Sequence, residues 1–126
     1  MPIMKIKKVK IGIKNIKDIF EDVKNAIRKI ERGEKLKAVK EPEIYFTSFE
    51  AFRKALTPKR LELLHIIKTK KPSSIKHLAR LTKRDIKNIA EDVKYLEQIG
   101  FIEKQEGNRE IRPFIEYDKI DLEIAV

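Results

Sequence analysis

Helical spacing sets Arg84, Lys87, Asn88 and Glu91 on one side of the stretch IKHLARLTKRDIKNIAEDV, residues 75–93, because Ile86 and Ile89 turn inward. These side chains have a definite chemistry. Arginine and lysine donate to O6 and N7 of guanine, asparagine pairs with N6 and N7 of adenine, and glutamate accepts from N4 of cytosine. Each good contact is worth about 1–3 kcal/mol. The same residue types also suit an ordinary solvated face, on which Glu91 would pair with Lys87 or Lys94 along the helix.

Other chemistries find less support. The two histidines, His65 and His77, belong to different helical segments, with no cysteine and no convergent carboxylate spacing around them, so no metal site is expected. The four glycines, at 12, 33, 100 and 107, punctuate elements and do not form a phosphate-cradling loop. Neither a Ser-His-Asp pattern nor a pair of carboxylates set for acid–base work is present. The sequence therefore predicts a protein that is not an enzyme and needs no cofactor.

A chain of 126 residues holds one domain, or one domain with a modest extension. With 41% hydrophobic and 40% charged residues it has the apolar material for a core. The formal charge is +10, distributed as +8 over residues 1–40, +5 over 41–100 and −3 over 101–126. Such a balance favours a polyanionic partner, since a basic face raises both encounter rate and affinity. The alternative is a heat-adapted chain rich in Lys, Glu and Ile. Zero cysteines exclude disulfides and thiolate chemistry. The lack of an apolar run near ~20 residues, or of a signal-peptide pattern, predicts a cytoplasmic protein with no membrane partner.

The elements follow from periodicity. Val9, Ile11 and Ile13 alternate as in a half-buried strand, with Lys8, Lys10 and Lys14 opposite. Asn15 caps a helix whose apolar positions are Ile16, Ile19, Phe20, Val23, Ile27 and Ile30, and Gly33 stops it. Residues 33–42 read as a loop and form the best internal boundary, giving a strand-helix extension at 1–43 and a second unit at 44–126. In that unit EIYFTS is a short strand, Ser48 caps a helix, and Thr57-Pro58 opens another with Leu61, Leu64, Ile67 and Ile66 facing a core. Ser74 caps a short helix bearing Ile75, Leu78, Ala79 and Leu81. Asp85 or Thr82 caps a longer one with Ile86, Ile89, Ala90, Val93, Leu96 and Ile99 inward, closed by Gly100. A hairpin around Glu106-Gly107-Asn108 follows, then a final alternation of Ile120, Leu122, Ile124 and Val126.

A two-turn helix, a tight break, a four-turn helix and a hairpin succeed one another in the order of a winged helix-turn-helix, in which the second helix enters the major groove. The fold class expected is thus α+β, a winged helix-turn-helix with an N-terminal strand-helix extension. The segments LTPKRLELLHII, PSSIKHLARLTKRDIKNIAEDVKYLEQIGFIEK and RPFIEYDKIDLEI resemble a family of archaeal and bacterial MarR-like winged-helix DNA-binding proteins. The similarity covers about residues 44–126. It implies double-stranded DNA binding and transcriptional regulation. Some members are encoded beside TumE-like toxins and resemble TumA-type antitoxins, which implies a toxin protein as a second kind of partner.

On that template the recognition helix spans about residues 85–99 and the wing 101–117, and Arg84, Lys87, Asn88 and Glu91 are the base-reading candidates. Ser73, Ser74, Lys76 and Lys83, near two helix starts, are candidates for phosphate anchoring. For the serines, helix capping is the competing role. Arg109 at the wing tip is placed for the minor groove and Arg112 for the backbone. The basic segment with Lys5, Lys7, Lys8 and Lys10 is either further DNA-binding surface or a dimerisation or partner-binding element. A homodimer is expected, with KIDLEIAV as an edge able to pair across subunits. An RNA-binding or architectural role is a third reading.

Overall fold

The computed structural model describes residues 7–34, 43–107 and 109–124, which form an α+β chain dividing into two units. The first comprises residues 1–52 with 119–126, and the second Arg53–Asp118. This differs from the division expected after residue 43, and strand pairing explains why. In the first unit β1 (Lys8–Ile13) is the central strand, flanked by β2 (Glu43–Phe46) and β5 (Lys119–Ile124), both parallel to it. The end of the chain thereby returns to its beginning.

Parallel neighbours need a crossover, and α1 (Ile16–Glu31) supplies it between β1 and β2. Asn15 caps α1 by accepting from the backbone N–H of Asp18 at 2.9 Å, as its sequence position predicts. The sheet is two-sided. Val9 and Ile11 are buried, in register with Ile120 and Leu122 on β5 and, for Ile11, with Ile44 on β2. Each fully buried aliphatic side chain of this kind is worth about 1.5–3 kcal/mol. Alternating with them, Lys8 and Lys10 meet Asp121 at 3.8 Å and Glu123 at 2.8 Å across the strand pair. Gly12 leaves room for the ring of Tyr45: a Cβ there would lie 2.7 Å from it, so the ring would have to shift.

The expected apolar face of α1 forms, but it is not buried. Ile19 and Ala26 are half-buried, and none of the helix's residues is fully buried.

Helix α2 (Phe49–Ala55) carries the chain across the unit boundary. The second unit then runs α3 (Pro58–Lys70), α4 (Ile75–Thr82), α5 (Ile86–Ile99), β3 (Glu103–Glu106) and β4 (Ile111–Phe114). Thr57 caps α3, accepting from the N–H of Arg60 at 3.3 Å with Pro58 in the first turn. Helix α4 packs on both α3 and α5, and β4 touches α3 and α4. The core gathers Leu63, Leu64, Ile67, Leu78, Ala79, Ile89, Val93, Leu96, Phe101 and Ile102. Strands β3 and β4 pair antiparallel from Glu103 opposite Phe114 to Glu106 opposite Ile111.

Three inward assignments need correction. Leu61 is 45% exposed, and Leu63 takes its place in the core. Ile86 is 49% exposed, and Ala90 also faces outward. In each case the residue lies at the edge of its helix's apolar arc, and a helix packed on one side buries a narrower stripe than its apolar residues span. Asp85 rather than Thr82 caps α5, through a 2.7 Å bond from the N–H of Lys87. The Thr82 hydroxyl donates instead to the carbonyls of Leu78 and Ala79. Lys5, Asn108 and Val126 lie outside the described residues.

Candidate nucleic-acid interface

Helix α5 presents a continuous solvent face. Lys87, Asn88, Glu91 and Lys94 are exposed along it, while Ile89, Val93 and Leu96 fix the opposite face in the core. Among the expected base-reading residues, Lys87, Asn88 and Glu91 therefore stand together on the outside of one helix. Arg84 does not join them.

Arg84 precedes α5 and turns inward, its Nη2 donating to one carboxylate oxygen of Asp92 at 2.8 Å. The other oxygen accepts from Nε of Arg60 at 3.2 Å. Arg60 also donates to the backbone carbonyls of Lys54 and Ala55, at 2.9 and 3.0 Å, and its guanidinium lies 4.2 Å from the centre of the Tyr95 ring. Arg84 is thus a structural residue, spent on tying the α4–α5 turn to α5. The same pairing separates the two neighbouring acids: Glu91 is exposed, whereas Asp92 is turned away from it and held by two guanidinium groups.

Three further residues of this face stand outside the expected base-reading set. Ala90 and Ile86 were assigned inward by periodicity, yet both are exposed beside Lys87. Lys94, one turn beyond Glu91 and Ala90, extends the basic character of the face. The signal for Lys94 was present in its spacing of seven from Lys87. Apolar groups at 86 and 90 are chemically suited to the methyl of thymine.

The expected phosphate contacts separate into two groups. Lys76 on α4 and Lys83 are exposed. Lys83 is the C-cap of α4 with φ 55°, a left-handed conformation that bends the chain sharply between the two helices. Ser74 is buried, and its hydroxyl accepts from the N–H of His77 at 3.0 Å, so it takes the helix-capping role on α4. Ser73 is exposed, and its own backbone N–H donates to Nδ1 of His77 at 3.0 Å. That contact fixes the imidazole at the mouth of α4, and among the described residues no cluster of three His, Cys, Asp or Glu is arranged to hold a metal ion.

The hairpin is electrically balanced. Glu103, Glu106 and Glu110 offset Lys104, Arg109 and Arg112. Lys104 pairs with Glu97 at 3.4 Å and Glu106 at 3.9 Å. Arg112 is held in the hairpin, donating twice to Oε1 of Gln105, at 3.1 and 2.8 Å, and lying over the ring of Phe114. Arg109 is exposed. An open cleft of about 630 Å³ lies here, lined by Ser73, Gln105, Glu106, Gly107, Arg109, Glu110 and Arg112. Its two acids and two bases give it no net sign, whereas α4 and the α4–α5 turn expose Lys76, Arg80 and Lys83.

No helix among the described residues is long and apolar enough to cross a membrane. No curated protein matches the chain. A model of the HVO_A0114 family matches residues 55–122, more than half of the sequence and nearly all of the second unit. The chain belongs to the HVO_A0114 family.

Proposed function

We propose that the second unit is a winged helix-turn-helix that binds double-stranded DNA as a transcriptional regulator, with α5 as its recognition helix and the β3–β4 hairpin as its wing. The order α3, α4, α5, hairpin supports the fold reading. The observation that carries the functional reading is the outer face of α5. It exposes Lys87, Asn88, Glu91 and Lys94 on a helix whose other side is locked into the core, while the nearby Asp92 is neutralised internally. A rigid helix with base-edge donors and acceptors projecting from one side is what readout in the major groove needs. Lys76 and Lys83 supply positive charge for the flanking phosphates.

The balanced charge of the hairpin and the internal role of Arg112 narrow the wing's part to Arg109. Sequence preference in this reading comes mainly from α5. The test is selection from a random duplex pool by the purified protein at about physiological salt, beside the double variant Lys87→Ala with Asn88→Ala. The expected result is an enriched motif that the variant loses. No enrichment, or the same enrichment by both proteins, overturns the reading.

A further inference from the structure

Helix α5 opens with an apolar side chain that faces water. Ile86 is its first residue and is 49% exposed, and Ala90, one turn further on, is exposed as well. A rise of about 6 Å separates them along one strip of the helix. Ile89 and Val93, which border the strip on its inner side, are buried, so α5 is fixed with this strip outward.

The charges around the strip point to its occupant. Lys83 closes α4 just before α5 begins, and Lys87 and Lys94 lie one turn to either side of Ala90; all three are exposed. An apolar protein surface seated on Ile86 would strip water from these ammonium groups, and one aliphatic contact is too small to offset that. An acidic protein surface would answer the lysines and leave Ile86 unmatched. The major groove of duplex DNA answers both. Its walls are phosphates, which draw lysines that stay partly hydrated, and its floor carries one methyl group at each A·T pair, on C5 of thymine. The two residues divide the contact. Ile86, branched at Cβ and so stiff at χ1, projects as a fixed probe, while Ala90 is short enough to let the helix come close to the base edges.

We infer that Ile86 packs against the 5-methyl group of thymine, with Ala90 completing the apolar contact, and that the protein thereby prefers A·T pairs beside the position met by Lys87. The inference rests on α5 being the recognition helix and names a base that helix selects. Hydrogen bonds from Lys87 and Asn88 do not register a methyl group, so its recognition is a separate component of specificity.

The test removes methyl groups one at a time. The full chain selects a motif from a random duplex pool, and each thymine of that motif is then replaced by uracil, which keeps every hydrogen-bonding group and lacks only the methyl. Fluorescence anisotropy at fixed salt is expected to show about fourfold weaker binding at one or two of these positions, the effect of one methyl-sized group lost from contact. Ile86→Ala is expected to bind the thymine and uracil duplexes equally at one of them. That variant should keep its fold, because the side chain it shortens is half exposed and alanine is the better helix former. Ile86→Val, which retains a branched apolar group, should keep most of the discrimination. Equal binding of the thymine and every uracil duplex by the parent, or parent-like losses in Ile86→Ala, overturns the inference and leaves the reading of α5 standing. A chain that selects no motif overturns both.

Discussion

Arg84 donates to Asp92 at 2.8 Å from the turn before α5 to a residue near the middle of that helix. With Arg60 on the other carboxylate oxygen, the contact connects α3, the α4–α5 turn and α5. The three side chains are only 17–27% exposed, so removing the carboxylate leaves two guanidinium groups poorly solvated. Asp92→Ala is expected to lower unfolding stability by about 2 kcal/mol, and Arg84→Ala by about 1 kcal/mol. Urea denaturation with an unchanged slope measures both. In the double variant the losses should fall short of additivity, since the two residues share one interaction. An Asp92→Ala variant within about 0.5 kcal/mol of the parent would reduce the contact to an ordinary surface pair.

The inward turn of Arg84 and the outward position of Lys87 make opposite predictions for DNA. On the proposed reading, Lys87→Ala relaxes preference at one base position, at a cost of about 1–3 kcal/mol on the preferred site. Arg84→Ala leaves the preferred sequence unchanged. Lys76→Ala weakens binding to all sequences alike and reduces the slope of log affinity against log salt by about 1. Fluorescence anisotropy on matched and scrambled duplexes at several salt concentrations separates the three. Loss of one base preference in Arg84→Ala with none in Lys87→Ala would reverse the assignment of the reading face.

Caps and turns were the most legible features of the sequence. Asn15, Thr57 and Ser74 each cap the helix predicted, and Gly100 ends α5 with φ 112°, because short-range hydrogen bonds and backbone sterics are decided within a few residues. What failed depended on distant partners. The alternation of Ile120, Leu122 and Ile124 announced a strand, but nothing local says that it pairs with β1 over a hundred residues earlier in the chain. The candidate site shows the same division. Helical period alone placed Lys87, Asn88 and Glu91 outward. Separating Arg84 from them required knowing that Arg60 and Asp92, 32 residues apart, meet in the fold.

Two lysines occupy the left-handed region, Lys71 with φ 47° at the end of α3 and Lys83 with φ 55° at the end of α4. A side chain with a Cβ is disfavoured there, and glycine is not. Lys71→Gly and Lys83→Gly are each expected to raise stability by about 0.5–1 kcal/mol, the native gain exceeding the added freedom of the unfolded chain. Thermal melts check this directly. The pair also separates structure from binding: both variants gain stability, but only Lys83→Gly should lose DNA affinity. Equal loss of affinity in both would assign the effect to general charge and not to the position of Lys83 between α4 and α5.

Tyr117 donates its hydroxyl to the backbone carbonyl of Phe101 at 2.7 Å, fastening the segment after β4 to the end of α5. Burial holds this phenol protonated well above the ordinary tyrosine value of 10.0, since the phenolate would lose its hydration there. The folded-state pKa is therefore the higher one. The stabilisation is complete below the ordinary phenol value and is lost as pH rises from that value toward the folded-state one, where the unfolded chain ionises and the native chain does not. Tyr117→Phe should cost about 1 kcal/mol at neutral pH through the lost hydrogen bond. It should also flatten the decline in stability above pH 10.0, because the group responsible is gone. Chemical denaturation at neutral and alkaline pH gives both numbers. A Tyr117→Phe variant whose stability falls as steeply as the parent's in alkali would place the alkaline sensitivity in other groups.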